Sequence, residues 1–331
     1  MGAPLRAVFM GTPSFALGPL EALHESPAVE VALVVTRPDA ASGRGSALVP
    51  SPVKARALEL GLPVLETKSL RGAEVQERLA AVGADVFCVA AYGAILPTAV
   101  LDMPRLGCLN VHASLLPRGR GAAPMQRALL EGEPELGYSI MRIEEGLDTG
   151  PYCAQGSVEV AGRNYDEVAA EVSRRGGEAL AGVLATLAEG GALAWVRQDD
   201  ALATYAAKID KSEVLLAPDA TATENMHRVQ ASGDAAPARC VIAGRPARVL
   251  RARPLGSSGD GGSQAQGGAA EGLPGGLPGR GEVLRARRRV ILGCSEGALE
   301  VLELKPDGKR AMGAADFAAG MKEERSTWGV R

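Results

Sequence analysis

Three side chains that could carry out proton and oxyanion chemistry fall within residues 107–150: Asn110, His112 and Asp148. His112 is one of only 3 histidines in the chain of 331 residues, and Asn110 precedes it by two positions at the end of an apolar run. If that run is a strand, both side chains point to the same face of a sheet. An amide and an imidazole placed in this way can donate hydrogen bonds to an oxygen that becomes negative.

Asp148, in the polar turn EEGLDTG, completes this set as a carboxylate that could orient the histidine and accept or relay a proton. No serine or cysteine is placed as a nucleophile beside these residues, so we expect the substrate itself to be the nucleophile. Such a site suits acyl transfer to an amine. The structural alternatives are an ordinary hydrogen-bonded histidine and an aspartate that caps a turn.

The cysteines and histidines favour no metal site. The 5 cysteines are odd in number, widely spaced and mostly within apolar runs, which predicts buried free thiols. They include no CxxC pair, and the scattered histidines add little to a metal-binding set.

The surrounding elements predict a Rossmann-like, doubly wound α/β fold with a mostly parallel sheet. A strand that ends at Gly11 is followed by apolar residues at helical spacing, and strand and helix patterns then alternate. The further strands expected in this domain are Val29–Val35, Leu62–Leu65, Asp85–Ala91, Gly107–Val111, Tyr138–Ile143 and Tyr152–Val160, and its longest helix is Tyr165–Leu187. Asn110 and His112 should therefore emerge at the sheet edge where open α/β folds bind ligands.

The composition changes near Gly190, which predicts a catalytic domain (1–189), a linker (190–210) and a second domain (211–331). Short strand patterns in the second domain predict a small, OB-like β-barrel. These strands are Ala238–Ile242, Ala247–Ala252, Gly281–Leu284, Arg289–Leu292 and Ala298–Leu304. We expect the Gly-rich stretch 256–281 to be a disordered loop.

Charge is distributed unevenly along the chain. Residues 1–235 carry 20 Lys and Arg against 29 Asp and Glu, whereas residues 237–310 carry 13 against 7. In addition, Arg37, Arg44 and Lys54 lie in a long polar stretch between a strand and a helix. Both features suggest a polyanionic partner, and the alternative is that these side chains merely solvate a loop and a strand-rich domain.

The sequence has no run of 18 or more apolar residues and no signal-peptide pattern. We therefore expect a cytoplasmic protein without membrane contact, and we expect it to be a monomer.

Several motifs together resemble the folate-dependent formyltransferases. The resemblance is carried by NVHASLLPRGRGAAPMQRAL and EEGLDTG, and also by MGTPSFA, VTRPDAASGRG, VAAYGAILP, ATYAAKIDKSE and LELKPDGKRAM. These motifs cover most of the chain. The resemblance implies 10-formyltetrahydrofolate as the formyl donor and the amino group of methionine on initiator tRNA as the acceptor.

The same resemblance implies roles for individual residues. Asn110 and His112 would polarise the formyl carbonyl, and Asp148 would pair with His112 and assist proton movement. Arg37 and Arg44 would lie on the loop that enters the tRNA acceptor stem, with Lys54 as a further phosphate contact. The folate pocket would be lined by Tyr92, Gly93, Ala94, Ile95, Leu96, Ser114, Leu115, Leu116 and Pro117.

The chain departs from the family pattern at two places. Gly119 stands where we expect tryptophan, and ASGDAAPAR replaces an aromatic and proline-rich segment. Two alternatives stay open: a formyltransferase for a small amine, such as glycinamide ribonucleotide or an amino sugar, and a non-catalytic RNA-binding protein on this scaffold. The second alternative gives no reason for Asn110, His112 and Asp148 to occur together.

Overall fold

The computed structural model describes residues 3–41, 48–256 and 273–330. The chain divides into two compact units, each assembled from more than one segment. The first unit comprises Met1–Pro124, Glu135–Glu159 and Val168–Ala206, and the second comprises Met125–Pro134, Val160–Glu167 and Ala207–Arg331. Among the described residues, no helix is both long enough and apolar enough to cross a membrane.

Up to Ala206 the chain forms strands with helices between many of them. The strands are β1 (Leu5–Gly11), β2 (Val29–Thr36), β3 (Ala40–Ala41), β4 (Leu48–Val49), β5 (Val64–Glu66), β6 (Val86–Ala90), β7 (Cys108–His112), β8 (Arg120–Gly121), β9 (Glu135–Arg142), β10 (Tyr152–Glu159) and β11 (Tyr205–Ala206). The α-helices are α1 (Leu17–Glu25), α2 (Pro52–Glu59), α3 (Ala73–Ala81), α4 (Thr98–Leu101), α5 (Pro124–Glu131) and α6 (Tyr165–Ala188), and short 3-10 helices span Ser14–Ala16 and Asp200–Leu202.

The first unit is built on a sheet with the strand order β10-β9-β7-β6-β1-β2-β5. Strands β5, β2, β1, β6 and β7 pair in parallel, and β9 and β10 extend the sheet antiparallel. The chain order reverses between β1 and β6, which is the switch point where doubly wound sheets open a crevice at the carboxyl ends of their strands. This arrangement confirms the predicted mostly parallel α/β fold.

Hydrophobic cores cover both faces of this sheet. Leu109 and Val111 of β7 belong to one core, with side chains from α1, α2 and α6. Cys108 belongs to the other core, with side chains from α3 and α4. Because alternate residues of a strand point to opposite faces, Asn110 and His112 project from the same face as Cys108.

The second unit contains a closed antiparallel barrel. Its strands are β12 (Arg239–Ile242), β13 (Arg245–Leu255), β14 (Glu282–Ala286), β15 (Arg289–Gly293), β16 (Ala298–Pro306), the short β17 (Met312–Gly313) and β18 (Arg325–Gly329). Six of them pair in the order β13-β12-β18-β14-β15-β16, and β13 pairs again with β16, which closes the barrel. The predicted small β-barrel is therefore confirmed.

Two helices and a 3-10 turn accompany the barrel: α7 (Ala222–Gln230), α8 (Ala314–Ala319) and Lys211–Val214. Helix α7 begins with a capping box, in which Thr221 accepts from the Glu224 amide and the Glu224 carboxylate accepts from the Thr221 amide. The barrel core contains Trp328, whose Nε1 donates to the Gly293 carbonyl at 2.9 Å.

Two features of the sequence interpretation change in the structure. Helix α2 begins at Pro52 with Ser51 as its N-cap, so Lys54 lies in the first turn of this helix and not in a loop. Strand β18 and helices α7 and α8 were not predicted. Of the stretch expected to be a disordered loop, residues 257–272 lie outside the described residues, as does Arg44.

Candidate active site

The imidazole of His112 lies between two acceptor groups at the end of β7. The side chain is only 6% exposed. Its Nε2 lies 2.9 Å from the carbonyl oxygen of Gly119, and its Nδ1 lies 3.7 Å from Oδ1 of Asp148. Because a carbonyl oxygen can only accept, Nε2 carries the hydrogen of the first contact. The ring is therefore held in one orientation, with its other nitrogen towards Asp148.

Asn110 is half-buried in β7, where it pairs with Val89 of β6 and Met141 of β9. Two residues along a strand correspond to about 6.5 Å, so the amide of Asn110 and the ring of His112 stand side by side on one face. The side-chain amide makes no hydrogen bond with the part of the chain that the structure describes. Asn110 therefore presents a donor that is already available to a ligand.

The turn after β9 holds Asp148 in a left-handed conformation, with φ of 53°. Its carboxylate is anchored by the amide of Gly121, which donates to Oδ2 at 2.8 Å. Two residues on, Gly150 lies so close to β9 that a Cβ there would meet the Arg142 carbonyl oxygen at 1.9 Å. Glycine is thus required for the turn to return to the sheet and direct the carboxylate towards His112.

The segment Tyr92–Leu96 follows β6 at the switch point of the sheet. Thr12, which follows β1, donates its hydroxyl to the Tyr92 carbonyl at 2.8 Å and so ties the two strand ends together. The Tyr92 ring is buried, burial raises the pKa of its hydroxyl, and that hydroxyl has no partner among the described residues. Gly93 has open space beside it, Ala94 and Leu96 are half-buried, and Ile95 is 76% exposed.

The segment Ser114–Pro117, which contains a cis peptide bond before Pro117, is held by Ser139 of β9. The hydroxyl of Ser139, which is fully buried, donates to the Ser114 carbonyl at 2.6 Å and accepts from the Leu116 amide at 3.1 Å. Gln155 of β10 donates to the Leu116 carbonyl and to the Ser139 hydroxyl, both at 2.9 Å. The backbone of the loop is therefore held by side chains of β9 and β10, while the Leu115 side chain remains 42% exposed.

Arg37 and Lys54, which the sequence suggests as phosphate contacts, differ in how many of their donors are already paired within the protein. Arg37 donates Nη1 to the Lys68 carbonyl at 2.7 Å. The ammonium of Lys54 lies 2.8 Å from carboxylate oxygens of both Asp39 and Glu66, and these hydrogen bonds raise its pKa. Lys54 is consequently held in ion pairs with Asp39 and Glu66, whereas Arg37 has N–H donors that make no further hydrogen bond with the part of the chain that the structure describes.

Other polar residues near His112 belong to no motif that would predict a part in this site. Arg120 is 2% exposed, although arginine is rarely buried. Arg120, Gln198 and Thr204 form hydrogen bonds that join segments 78 to 85 residues apart. Local spacing cannot predict such contacts, and the one hint is the arginine within the compact turn PRGRGAAP.

An open cavity of about 570 Å³ lies at the opposite end of β7. Its lining includes Gly107, Cys108, Arg142 and Glu144, but none of Asn110, His112 or Asp148. The guanidinium of Arg142 stacks on Trp195 at 4.6 Å. We assign this cavity no part in the chemistry of the three residues.

The five cysteine thiols are not activated as nucleophiles. All five cysteines are free, and burial raises the pKa of each thiol, that of Cys108 to about 12. Across residues 3–41, 48–256 and 273–330, no group of three or more His, Cys, Asp or Glu is arranged to hold a metal ion.

Comparison with known proteins gives the same result for both parts of the chain. A family model described as formyl transferase matches residues 5–184, and one described as formyl transferase, C-terminal domain, matches residues 208–322. A relative from Pseudomonas paraeruginosa (strain DSM 24068 / PA7), named methionyl-tRNA formyltransferase, is 42% identical over 326 residues, which cover 97% of each chain.

Solved structures are similar to this chain in fold. Methionyl-tRNA formyltransferase from Clostridium thermocellum has a TM-score of 0.53 at 14% identity, over 75% of this chain and 92% of that one. HypX from Aquifex aeolicus, in complex with tetrahydrofolic acid, has a TM-score of 0.60 at 15% identity, over 95% of this chain and 46% of that one. From the two family matches and the full-length relative, we conclude that this chain belongs to the formyl transferase family.

Proposed function

We propose that this chain transfers the formyl group of 10-formyltetrahydrofolate to the amino group of methionine on initiator methionyl-tRNA, as a step of translation initiation. The observation that supports this most is similarity over the full length. Eight relatives, 38–42% identical and each matching at least 95% of this chain, are named methionyl-tRNA formyltransferase. The similarity therefore includes the barrel as well as the sheet.

In the proposed reaction the amine attacks the formyl carbon directly, and the carbonyl oxygen becomes negative. Asn110 can donate to that oxygen without first giving up another hydrogen bond, because its amide has no partner among the described residues. His112 can donate from Nε2 only by sharing or exchanging its bond to Gly119. We therefore assign the principal oxyanion contact to Asn110 and a second contact to His112.

Formyl transfer also requires that one proton leave the attacking amine and that one reach the departing nitrogen. Asp148 is suited to this exchange, because its Oδ1 is directed towards His112 while its Oδ2 is held by Gly121. A carboxylate anchored through one oxygen keeps the other in place to accept a proton. Asp148 is thus the proposed proton acceptor, with His112 as its neighbour.

The residues around this edge fit a folate donor, which supplies the formyl group. Ile95 and Leu115 present exposed apolar side chains from two loops that follow adjacent strands. A flat ring system can pack against such side chains, while Asn110 offers a hydrogen bond beside them. In this proposal the segments Tyr92–Leu96 and Ser114–Pro117 bind the folate, and Thr12 and Ser139 hold them in position.

In this proposal the tRNA contacts two basic regions. One is the segment from Arg37 to Lys54, and the other is a turn of the barrel. Arg37 has further N–H donors that make no hydrogen bond with the described residues, and such donors match phosphate oxygens. Arg44 follows it in the sequence, outside the described residues. Lys54 forms ion pairs with Asp39 of the same segment and with Glu66 of β5. In the barrel, Arg287 and Arg288 are exposed in the turn between β14 and β15 and have no partner among the described residues.

We assign catalysis to residues 1–189 and tRNA binding to residues 211–331, with residues 190–210 as the linker between these domains. A charged tRNA is a cytoplasmic partner, so the proposed function implies the cytoplasm as the place of action. We also propose a monomer, which sedimentation velocity would test.

The function is tested by offering one donor, 10-formyltetrahydrofolate, with different acceptors. We expect efficient formylation of initiator methionyl-tRNA and little or none of glycinamide ribonucleotide or an amino sugar nucleotide. Preference for either small amine would replace the proposal with the small-amine alternative. RNA binding without transfer to any acceptor would favour the non-catalytic alternative.

A further inference from the structure

The conformation of Asp148 must be held by neighbouring groups. A non-glycine residue in the left-handed region is strained, so it persists only where other contacts favour it. The Gly121 amide anchors the carboxylate of Asp148, but it does not anchor the backbone. The backbone of this turn is instead held by the side chain of Gln198.

Gln198 uses both of its amide hydrogens on the turn. Its Nε2 donates to the Asp148 carbonyl at 2.8 Å and to the Gly150 carbonyl at 2.6 Å. The two contacts lie on either side of Thr149 and so define the path of the chain from Asp148 back to β10. A single side chain therefore fixes the peptide groups that set the direction of the carboxylate.

The orientation of this amide is unambiguous. Its Oε1 accepts from Nε of Arg120 at 2.9 Å, and arginine can only donate. The Arg120 guanidinium is in turn held by Asp200, from Nη2 at 2.7 Å. Because Nε2 faces two carbonyls and Oε1 faces a guanidinium, every polar atom of the Gln198 side chain is matched to its partner.

The segment that contains Gln198 also supports the second group beside His112. The Thr204 hydroxyl accepts from the Gly119 amide at 2.9 Å, and the Thr204 carbonyl accepts from the Arg120 amide at 2.9 Å. Gly119 is the residue whose carbonyl bonds to Nε2 of His112. Residues 198–206 thus hold both partners of the imidazole, through Gln198 on one side and Thr204 on the other.

We propose that Gln198, oriented by Arg120, is a positioning residue that holds the Asp148 turn so that the carboxylate faces His112 and the reacting amine. This inference rests on the proposed catalytic role of Asp148. Gln198 contacts the peptide groups of the turn and the Arg120 guanidinium, so it acts on the Asp148 carboxylate through the turn. Its removal should displace the carboxylate while leaving Asn110 and the folate-binding loops in place.

The test is a double-mutant cycle of Gln198→Met and Asp148→Asn in the full chain. Asp148→Asn retains an oxygen to accept from Gly121 but removes the proton acceptor. We expect Gln198→Met to lower kcat for formyl transfer to methionyl-tRNA by about 10- to 100-fold with little change in KM, because small misplacements of a reacting group have effects of this size. In the Asp148→Asn background the same change should lower kcat less than twofold.

The matched control is Gln76→Met, since Gln76 on α3 also donates to a loop carbonyl, that of Leu70, at 2.9 Å. It should lower the thermal midpoint by less than Gln198→Met, because one hydrogen bond is lost and not three, and it should leave kcat unchanged. Gln198→Glu, which keeps the size of the side chain but places a carboxylate against two carbonyls, should repeat the loss of kcat if Gln198→Met folds poorly.

Three results would count against the inference. A kcat unchanged in both Gln198 variants would overturn it, and so would an equal loss in the wild-type and Asp148→Asn backgrounds, because Gln198 would then act elsewhere. An Asp148→Asn chain with full kcat is a separate result, which overturns the proposed role of Asp148 and removes the basis of the positioning role.

Discussion

At the edge of the sheet, His112 and Asp148 are held by backbone amides and carbonyls, whereas in the barrel Arg253 and Arg289 are held by a carboxylate. That carboxylate, Glu300, is buried and accepts from Arg253 at 2.7 Å and from Arg289 at 2.6 Å. Backbone groups orient a side chain without neutralising it, and a countercharge does both. Polar groups at the sheet edge therefore stay chemically available, while much of the basic charge in the barrel is already paired.

The pairing extends over most of the arginines that made the second domain look basic. Arg248 pairs with Asp234 at 2.7 Å, Arg251 with Glu167 at 3.1 Å, and Arg239 with Asp307. Net charge along the sequence therefore overstates what this region offers to a polyanion. The comparison predicts that catalysis depends on few residues at the sheet edge, and that single charge changes in the barrel have small effects on activity.

The largest effect should follow from Asn110→Ala. Loss of the free amide donor is expected to lower kcat for formyl transfer by about 10²- to 10³-fold, as loss of one oxyanion donor typically does. Circular dichroism should show a folded chain, because this amide makes no hydrogen bond with described residues that the fold would lose. A rate within threefold of wild type would show that the free donor at the sheet edge is not used.

A smaller loss should follow from Ser139→Ala, which removes two hydrogen bonds to the Ser114–Pro117 loop and a third from Gln155. We expect KM for the folate donor to rise about 10-fold and the free energy of unfolding to fall by about 1–3 kcal/mol, because buried groups lose their partner. Ser157→Ala is the control, since Ser157 lies exposed on the adjacent strand β10. Equal KM values for the two variants would argue against a folate role for this loop.

In the barrel, Glu300→Gln should change stability and not chemistry. Burial raises the pKa of Glu300, but hydrogen bonds from Arg289 and Arg253 outweigh burial and hold it below its ordinary value of 4.5. A carboxyl with a depressed pKa stabilises the fold above its unfolded pKa, and that stabilisation is lost as pH falls through the folded pKa. The wild type should therefore be more stable than Glu300→Gln at pH 7, with a difference that shrinks below about pH 4.5.

This difference can be measured by denaturant unfolding followed through Trp328 fluorescence, in a Trp195→Phe background. At pH 7 we expect it to be about 1–3 kcal/mol, with kcat within twofold of wild type. Glu303→Gln, on the same strand, serves as the control. A large loss of kcat in Glu300→Gln, measured under conditions where the variant is fully folded, would contradict the predicted difference between the sheet edge and the barrel.

The smallest effect should follow from Arg37→Ala. It is expected to weaken tRNA binding a few-fold and to make the dependence of log Kd on log salt shallower by about 0.7 to 0.9, as loss of one phosphate contact does. Arg78→Ala, at an exposed position of α3, should change neither quantity. A salt dependence identical to wild type would remove Arg37 from the RNA contact.

The sequence predicts the sheet well because its strands are long apolar runs covered on both faces. The sequence predicts Val29–Val35 where the structure has Val29–Thr36, and it predicts Gly107–Val111 where the structure has Cys108–His112. Alternation along that strand was enough to place Asn110 and His112 on one face. Helix α7 was missed because it is polar, although the pattern Thr221-x-x-Glu224 is a start signal that could have revealed it.

The support around the site could not be predicted in the same way. Gln198 meets Asp148 across 50 residues, and Thr204 meets Gly119 across 85. No periodicity or motif spacing connects such positions, since only the folded chain brings them together. Segment 190–210 has the composition of a linker, yet within the first unit its residues up to Ala206 contact both loops beside His112.

The most direct test of the account is a single-turnover measurement of formyl transfer from 10-formyltetrahydrofolate to initiator methionyl-tRNA by wild type and His112→Ala, with tRNA affinity measured on the same samples. His24→Ala, at an exposed position of α1, is the matched control. We predict that His112→Ala lowers the rate by about 10²- to 10³-fold while tRNA affinity and folding stay close to wild type. Transfer by His112→Ala at the wild-type rate would contradict the account.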